Sequence, residues 1–169
     1  MDRIYESISE LSRRIVGICA ERGLKIAAAE SCTGGMISAA ITGVSGSSAV
    51  IELGVCSYSN RIKREILGVN GQTLDTLSEY SAECAEEMAR GVLKLSGADL
   101  AVSTSGVAGP SGGTDDTPVG TVYICVSDRY GTSSERAEFP NNGRENIRAA
   151  AVQKALTMLL GRLGIYGER

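Results

Sequence analysis

Leu24-Lys25-Ile26-Ala27-Ala28-Ala29-Glu30-Ser31-Cys32-Thr33-Gly34-Gly35-Met36 passes from an apolar run, through a polar turn with two glycines, into a second apolar run that reaches Val44. The pattern predicts a strand over Leu24 to Ala29, a tight turn, and a helix over Met36 to Gly43 packed by Met36, Ile37, Ala40 and Ile41. A strand followed at once by a helix is the building unit of α/β folds. Such a turn also places backbone N–H groups at a helix N-terminus, where orphan donors and the helix dipole favour anions and oxyanions. Ser31 stands at the edge of this turn and is the first candidate for chemistry.

Working outward, Ile4, Ile8, Leu11, Ile15 and Ile18 recur at helical spacing, which predicts a helix over Asp2 to Arg22, capped by Asp2 and stopped by Gly23. Downstream of the turn, Val50 to Ser59 is β-rich. Ser59 or Asn60 can then cap a helix that runs to Leu67 and stops at Gly68. Ser81 to Ser96 is amphipathic, with Glu83, Glu86 and Glu87 early and Lys94 late, an order that suits the dipole. Asp99 to Thr104 reads as a central strand. Val119 to Ser127 and Thr132 to Phe139 read as a hairpin around Asp128-Arg129-Tyr130-Gly131, and a last helix spans Arg144 to Leu163. The expected architecture is therefore α/β, a mixed β-sheet sandwiched by helices and ending in an antiparallel hairpin.

With 169 residues, 43% hydrophobic and 22% charged, the chain is expected to form one domain over 1–169. A net charge of −3 gives no reason to expect nucleic acid or an anionic membrane as partner. The N-terminus is too polar for a signal peptide, and no apolar run reaches transmembrane length. Five scattered cysteines without a Cys-x-x-Cys pair suit free thiols in a reducing, cytoplasmic setting, with no zinc site.

The chain contains no histidine. That excludes Ser-His-Asp and Cys-His mechanisms and every metal site that needs imidazole. A serine nucleophile would need another base, and the lysines are Lys25, Lys63, Lys94 and Lys154. Lys25 lies six residues before Ser31, roughly 20 Å away along a regular strand, which rules it out. Lys63 is the remaining natural partner, provided burial or neighbouring charge lowers its pKa.

Each of these signals has a plainer reading. Ser31 or Thr33 can merely cap the helix, and on local sequence alone that is the commoner use. Cys32 is most simply a small buried thiol, and Lys63 a solvated lysine on a basic helix. The second glycine-rich stretch, Gly106-Val107-Ala108-Gly109-Pro110-Ser111-Gly112-Gly113-Thr114, can cradle an anion or be a surface loop. Asp115 and Asp116 lack a third carboxylate and read as solvated loop acids. Arg144 and Arg148 share one face of the last helix, and an arginine near a helix start works against the dipole, which favours a ligand role for Arg144. Two glycine-rich turns at strand ends say more than either alone. From the residues, the chain reads as an α/β enzyme for an anionic small molecule, using Ser and Lys.

In order along the chain, Ala29 to Gly35, Gly46-Ser47-Ser48, Tyr58-Ser59-Asn60 with Lys63, and Leu67-Gly68-Val69 are followed by Ser105 to Gly113, Pro118-Val119-Gly120-Thr121-Val122, and Phe139 with Arg144 and Arg148. This ordered set resembles the CinA C-terminal domain family, the nicotinamide-nucleotide amidases, over nearly the whole chain. The resemblance implies hydrolysis of nicotinamide mononucleotide to nicotinate mononucleotide and ammonia, in pyridine nucleotide recycling, without metal or cofactor. It also implies a homo-oligomer with a small-molecule nucleotide as its partner. Carried over, Ser31 attacks the amide carbon, Lys63 moves the proton, and Tyr58 orients the pair. Backbone N–H groups of Thr33, Gly34 and Gly35 are the expected oxyanion hole. Asn60, Ser105, Gly106, Gly109, Gly112, Gly113 and Arg144 are expected around the nucleotide, with its phosphate held by the glycine-rich loop and Arg144.

Two departures stand out. Many longer relatives carry a larger N-terminal domain resembling molybdopterin-binding proteins, associated with ADP-ribose pyrophosphatase activity, and that activity is not carried over. The family also tends to have Gly-Asp-Arg after the Phe, where this chain reads Pro140-Asn141-Asn142-Gly143-Arg144. That change keeps open an alternative, a non-catalytic nucleotide-binding or partner-binding module that retains the pocket.

Overall fold

The computed structural model describes residues 2–166. Five strands, β1 (Ile26–Glu30), β2 (Ile51–Cys56), β3 (Leu100–Gly106), β4 (Thr121–Asp128) and β5 (Gly131–Glu138), form one sheet in the order β2-β1-β3-β4-β5. β1 pairs in parallel with β2 and β3, whereas β4 runs antiparallel to both β3 and β5. This is the mixed sheet that the sequence predicts. The predicted helices are present as α1 (Asp2–Arg22), α2 (Met36–Thr42), α3 (Asn60–Leu67), α5 (Ala82–Ser96) and α6 (Arg144–Tyr166). Two short elements were not expected: α4 (Gly71–Thr76), capped by the Asn70 side chain, and a 3-10 turn at Ser47–Ala49. Asp2, expected as a cap, already belongs to α1, and its side chain lies outside the described residues.

β1 is buried along its whole length, and its side chains alternate between two cores. Ile26 and Ala28 face a layer of α1, α2 and α6, with Ile15, Ile37, Ile41, Ile147, Leu156, Leu159 and Leu163. Ala27 and Ala29 face the other side, with Leu67, Val69, Cys84, Met88 and Val92 from α3, α5 and the segment between them. Burying each Leu, Ile or Met of these layers contributes roughly 1.5–3 kcal/mol. The small alanines of β1 let both layers approach the sheet closely.

Topology fixes where a ligand can sit. From β1 the chain crosses to β2 on one side, then returns to β3 on the other. The carboxyl ends of β1 and β3 therefore open a crevice at a switch in strand order, the usual ligand position in open α/β sheets. Ser31, Tyr58 and Val107 follow the ends of β1, β2 and β3.

Candidate active site

Ser31 follows the last residue of β1, and its N–H donates to the Thr104 carbonyl of β3 at 3.0 Å, which extends the ladder by one bond. Strand alternation then turns the Ser31 side chain to the face covered by α3 and α5. Ser59 caps α3 by accepting from the Ile62 N–H, and Gly68 ends it in the left-handed region at φ 69°. Within this short helix Lys63 and Leu67, four apart, form the inward face. The outcome is a lysine only 1% exposed whose Nζ lies 3.1 Å from Ser31 Oγ, itself 7% exposed.

Burial lowers the Lys63 pKa from its ordinary value, against smaller upward pulls from Cys84, Glu79 and Cys32. A lowered pKa is what a lysine base requires. Cys32, in contrast, is buried with its thiol pushed up to about 11, so it does not compete as a nucleophile. The plainer reading of Ser31 as a helix cap does not hold: the N-cap position of α2 is Gly35, and no side chain caps there in the usual way.

Glu30 has that task instead, and the sequence reading missed it. Its carboxylate is fully buried and accepts from the N–H groups of Gly35, Ile37 and Ser38 and from Ser38 Oγ, at 2.8–3.0 Å. The orphan amides of α2 are thus satisfied by an internal anion. This removes two amides, those of Gly34 and Gly35, from the expected oxyanion hole. The Gly35 N–H is taken by Glu30, the Gly34 N–H donates to the Ser31 carbonyl, and the Thr33 hydroxyl is locked to Thr104 at 2.8 Å. Thr33, Gly34 and Gly35 shape the turn and do not line the pocket. Arg148 holds the same turn from α6, donating to the Cys32 and Thr33 carbonyls at 3.0 and 2.8 Å.

The pocket is a small cleft, partly open to solvent. Ser31 and Lys63 border it, as do Tyr58, Asn60, Gly106, Gly109 and Arg144, all anticipated from the sequence. Tyr58 is 63% exposed, and its hydroxyl accepts from Arg144 Nη2 at 2.7 Å, which corrects the expectation that it orients the Ser31–Lys63 pair. Arg144 also donates to the Gly109 carbonyl at 2.7 Å, so the altered loop before it still delivers the guanidinium to the pocket. Ser105, Gly112 and Gly113 do not line the cavity: the Ser105 hydroxyl donates inward to the Glu79 carbonyl at 2.6 Å, and the two glycines lie in the exposed part of their loop. Ser111 lines it in their place, together with Glu79 and Tyr80, which no motif had marked. Among the described residues, no three Cys, Asp or Glu side chains come together as a metal site, and no helix is long and apolar enough to cross a membrane.

With the geometry in place, comparison with known proteins identifies the lineage. The model of the CinA C-terminal domain matches residues 8–163. The chain belongs to the CinA C-terminal domain family. Within that family it is 45% identical over 172 residues to a CinA-like protein of Syntrophomonas wolfei, covering 94% of this chain and 41% of that protein. It is 44% identical over 137 residues to the nicotinamide-nucleotide amidohydrolase PncC of Shewanella oneidensis, covering 81% of this chain and 32% of that one. The chain thus spans well under half the length of these curated CinA relatives. A solved structure of similar length, the competence/damage inducible protein CihA of Agrobacterium tumefaciens, superposes with a TM-score of 0.91 at 42% identity, covering 94% of this chain and 96% of the other. A CinA superfamily protein of Klebsiella pneumoniae superposes at 0.88 with 38% identity, covering 93% and 98%.

Proposed function

We propose that this chain is an amidohydrolase that converts nicotinamide mononucleotide to nicotinate mononucleotide and ammonia, a step of pyridine nucleotide recycling. The observation that carries the reading is the 3.1 Å contact between the buried Lys63 Nζ and Ser31 Oγ at the edge of a pocket that also holds Arg144. The name borne by the Shewanella oneidensis relative supports the same chemistry.

In the reactive state the Lys63 amine is neutral and accepts the Ser31 hydroxyl proton while Oγ attacks the carboxamide carbon. Cys32, Ala108 and Gly109 line the pocket, and their backbone N–H groups are the proposed donors to the developing oxyanion. The Lys63 ammonium then gives its proton to the departing nitrogen, which leaves as ammonia. Water, deprotonated by the same lysine, attacks the acyl-serine ester, and the Lys63 ammonium returns the proton to the departing Ser31 Oγ as the acid product is released and ionises to the carboxylate. At the far edge Arg144, steadied by Tyr58 and the Gly109 carbonyl, meets the phosphate.

The test is ammonia release from nicotinamide mononucleotide by the purified chain, with Ser31→Ala and Lys63→Ala alongside. Each variant loses about 10³-fold or more while keeping its fold, and the double variant loses little beyond either single one, because the two act as a unit. Thermal protection by the nucleotide with no release from the unmodified chain would favour the non-catalytic binding module.

A further inference from the structure

The turn between α4 and α5 is a segment of the pocket wall to which the mechanism above gives no role. Ser78 there takes a left-handed backbone, φ 76°, in the region a side chain occupies at a cost of about 1 kcal/mol. The turn is braced on several sides. The Tyr80 N–H donates to Ser78 Oγ, Ser81 Oγ donates to the Ser78 carbonyl, and Ser105 Oγ reaches from β3 to the Glu79 carbonyl. Glu79 and Tyr80 are thereby presented side by side, each half-buried, to the cavity that holds Ser31.

Glu79 is the acidic residue among those that line this cavity; the charged others are Lys63 and Arg144. The two poles are separated by their partners. Arg144 is tied to Tyr58 and Gly109, whereas Glu79 lies 3.5 Å from Asn60 Nδ2 and close enough to Lys63 to act on its titration. The pocket therefore has a cationic mouth and an anionic wall beside the nucleophile. A ligand that is anionic throughout would be repelled by Glu79. A ligand that carries a phosphate at one end and a positive charge next to its reacting carboxamide would satisfy both.

Resting on the amidase reading, we propose that Glu79 and Tyr80 select substrates whose carboxamide is carried by a cationic aromatic ring, a pyridinium, over neutral rings of the same shape. The Glu79 carboxylate lies against the ring charge, and the Tyr80 face packs the ring. Selection at this wall acts on the ring alone and is independent of the phosphate held by Arg144.

The experiment compares two nucleotides on Ser31→Ala protein, where turnover is blocked: nicotinamide mononucleotide, and its neutral isostere with a carbamoylphenyl ring in place of the carbamoylpyridinium. Calorimetric Kd values are measured with Glu79 intact and with Glu79→Gln, and again with Tyr80→Leu. With Glu79 intact the cationic nucleotide binds about tenfold tighter, and Glu79→Gln brings the ratio to near one by weakening the cationic ligand alone. Tyr80→Leu weakens both ligands several-fold. Equal weakening of both ligands by Glu79→Gln, or an unchanged ratio, overturns the inference, because a residue that only braces the wall or tunes Lys63 has no preference for ring charge. Ammonia release by the unmodified chain is measured in parallel. Release with an unchanged ratio sinks the selectivity inference alone, whereas no release and no binding sinks the amidase reading and this inference with it.

Discussion

Glu30 and Ser31 are adjacent in the chain and face opposite layers of the protein. Glu30 continues the side of β1 that carries Ile26 and Ala28, and its carboxylate caps α2; Ser31 continues the side of Ala27 and Ala29 and meets Lys63. The period of two in the strand makes this division. One residue anchors the turn and the next reaches Lys63, so the position of the proposed nucleophile depends on a carboxylate that lies outside the pocket lining.

That relationship makes Glu30 a positioning residue. Glu30→Ala leaves the buried Ile37 amide and the half-buried Gly35 and Ser38 amides without an acceptor and costs about 3 kcal/mol. Glu30→Gln is also destabilising, by about 1–3 kcal/mol, because each carboxylate oxygen accepts two bonds and an amide NH₂ cannot accept any. Urea unfolding checks the stability, and ammonia release shows kcat falling further than KM rises as Ser31 drifts.

The Lys63 titration links activity and stability with one sign. Burial sets its folded pKa below the ordinary value, so between the two pKa values the unfolded chain holds a proton that the native state does not. Stability therefore rises with pH through that window, and below it the native state carries the full cost of a buried ammonium. The rate rises with pH over the same folded pKa, as the amine becomes free to accept the Ser31 proton. Lys63→Met is expected to abolish turnover, flatten this part of the stability profile, and raise the melting temperature near pH 7 by about 2–4 °C. Melting curves and rates across pH, compared between the two proteins, check both statements.

Gly91 controls the helix that bears Lys63. A Cβ there would run into the Leu67 carbonyl at the end of α3, a backbone atom that cannot rotate away. Gly91→Ala thus separates α5 from α3, costing about 1–3 kcal/mol. Because Lys63 lies one turn from Leu67, ammonia release drops more than the stability loss alone would cause. The measurement is kcat at a temperature where circular dichroism shows the variant fully folded.

At the opposite end of the sheet, Asp128 closes the β4–β5 hairpin and receives Arg162 in a two-pronged pair, at 2.8 and 2.6 Å. Burial raises its pKa, but hydrogen bonds from Arg162 and the Tyr130 and Gly131 amides outweigh that and hold it below the ordinary value. Its contribution is present above the unfolded carboxylate pKa and is lost as pH falls through the lower folded one. Asp128→Asn is expected to cost about 1.5–3 kcal/mol at pH 7 and almost nothing in strong acid, with ammonia release unchanged when the chain is folded. Denaturant titrations at the two pH values decide it.

Local chemistry made much of this protein legible before any coordinates. The strand-turn-helix at Ser31, the Ser59 and Gly68 boundaries of α3, the Ser81 cap of α5 and the hairpin around Arg129 and Tyr130 all follow from short-range rules, and the structure has them. The absence of histidine and the place of Lys63 narrowed the candidate dyad to one pair. Other features were silent because their causes are not local. In α3, Ile62 and Ile66 are the apolar i,i+4 pair, yet Ile66 is exposed and Lys63 is buried, since the neighbouring β1 and α5 decide which face turns inward. Glu30 fell in the polar turn after the predicted strand with nothing to mark it; only the return of α2 over the sheet brings three amides to its carboxylate. Arg144 and Arg148 look alike on one helix face, but one reaches the pocket mouth and the other the Cys32–Thr33 carbonyls. The sequence by itself determined the main elements, the sheet type and the candidacy of Ser31 and Lys63, which depend on periodicity, capping and residue chemistry. The tertiary structure alone decided which amides are already occupied, which lysine loses its water, and which wall faces the ligand, because those depend on atoms brought together from distant parts of the chain.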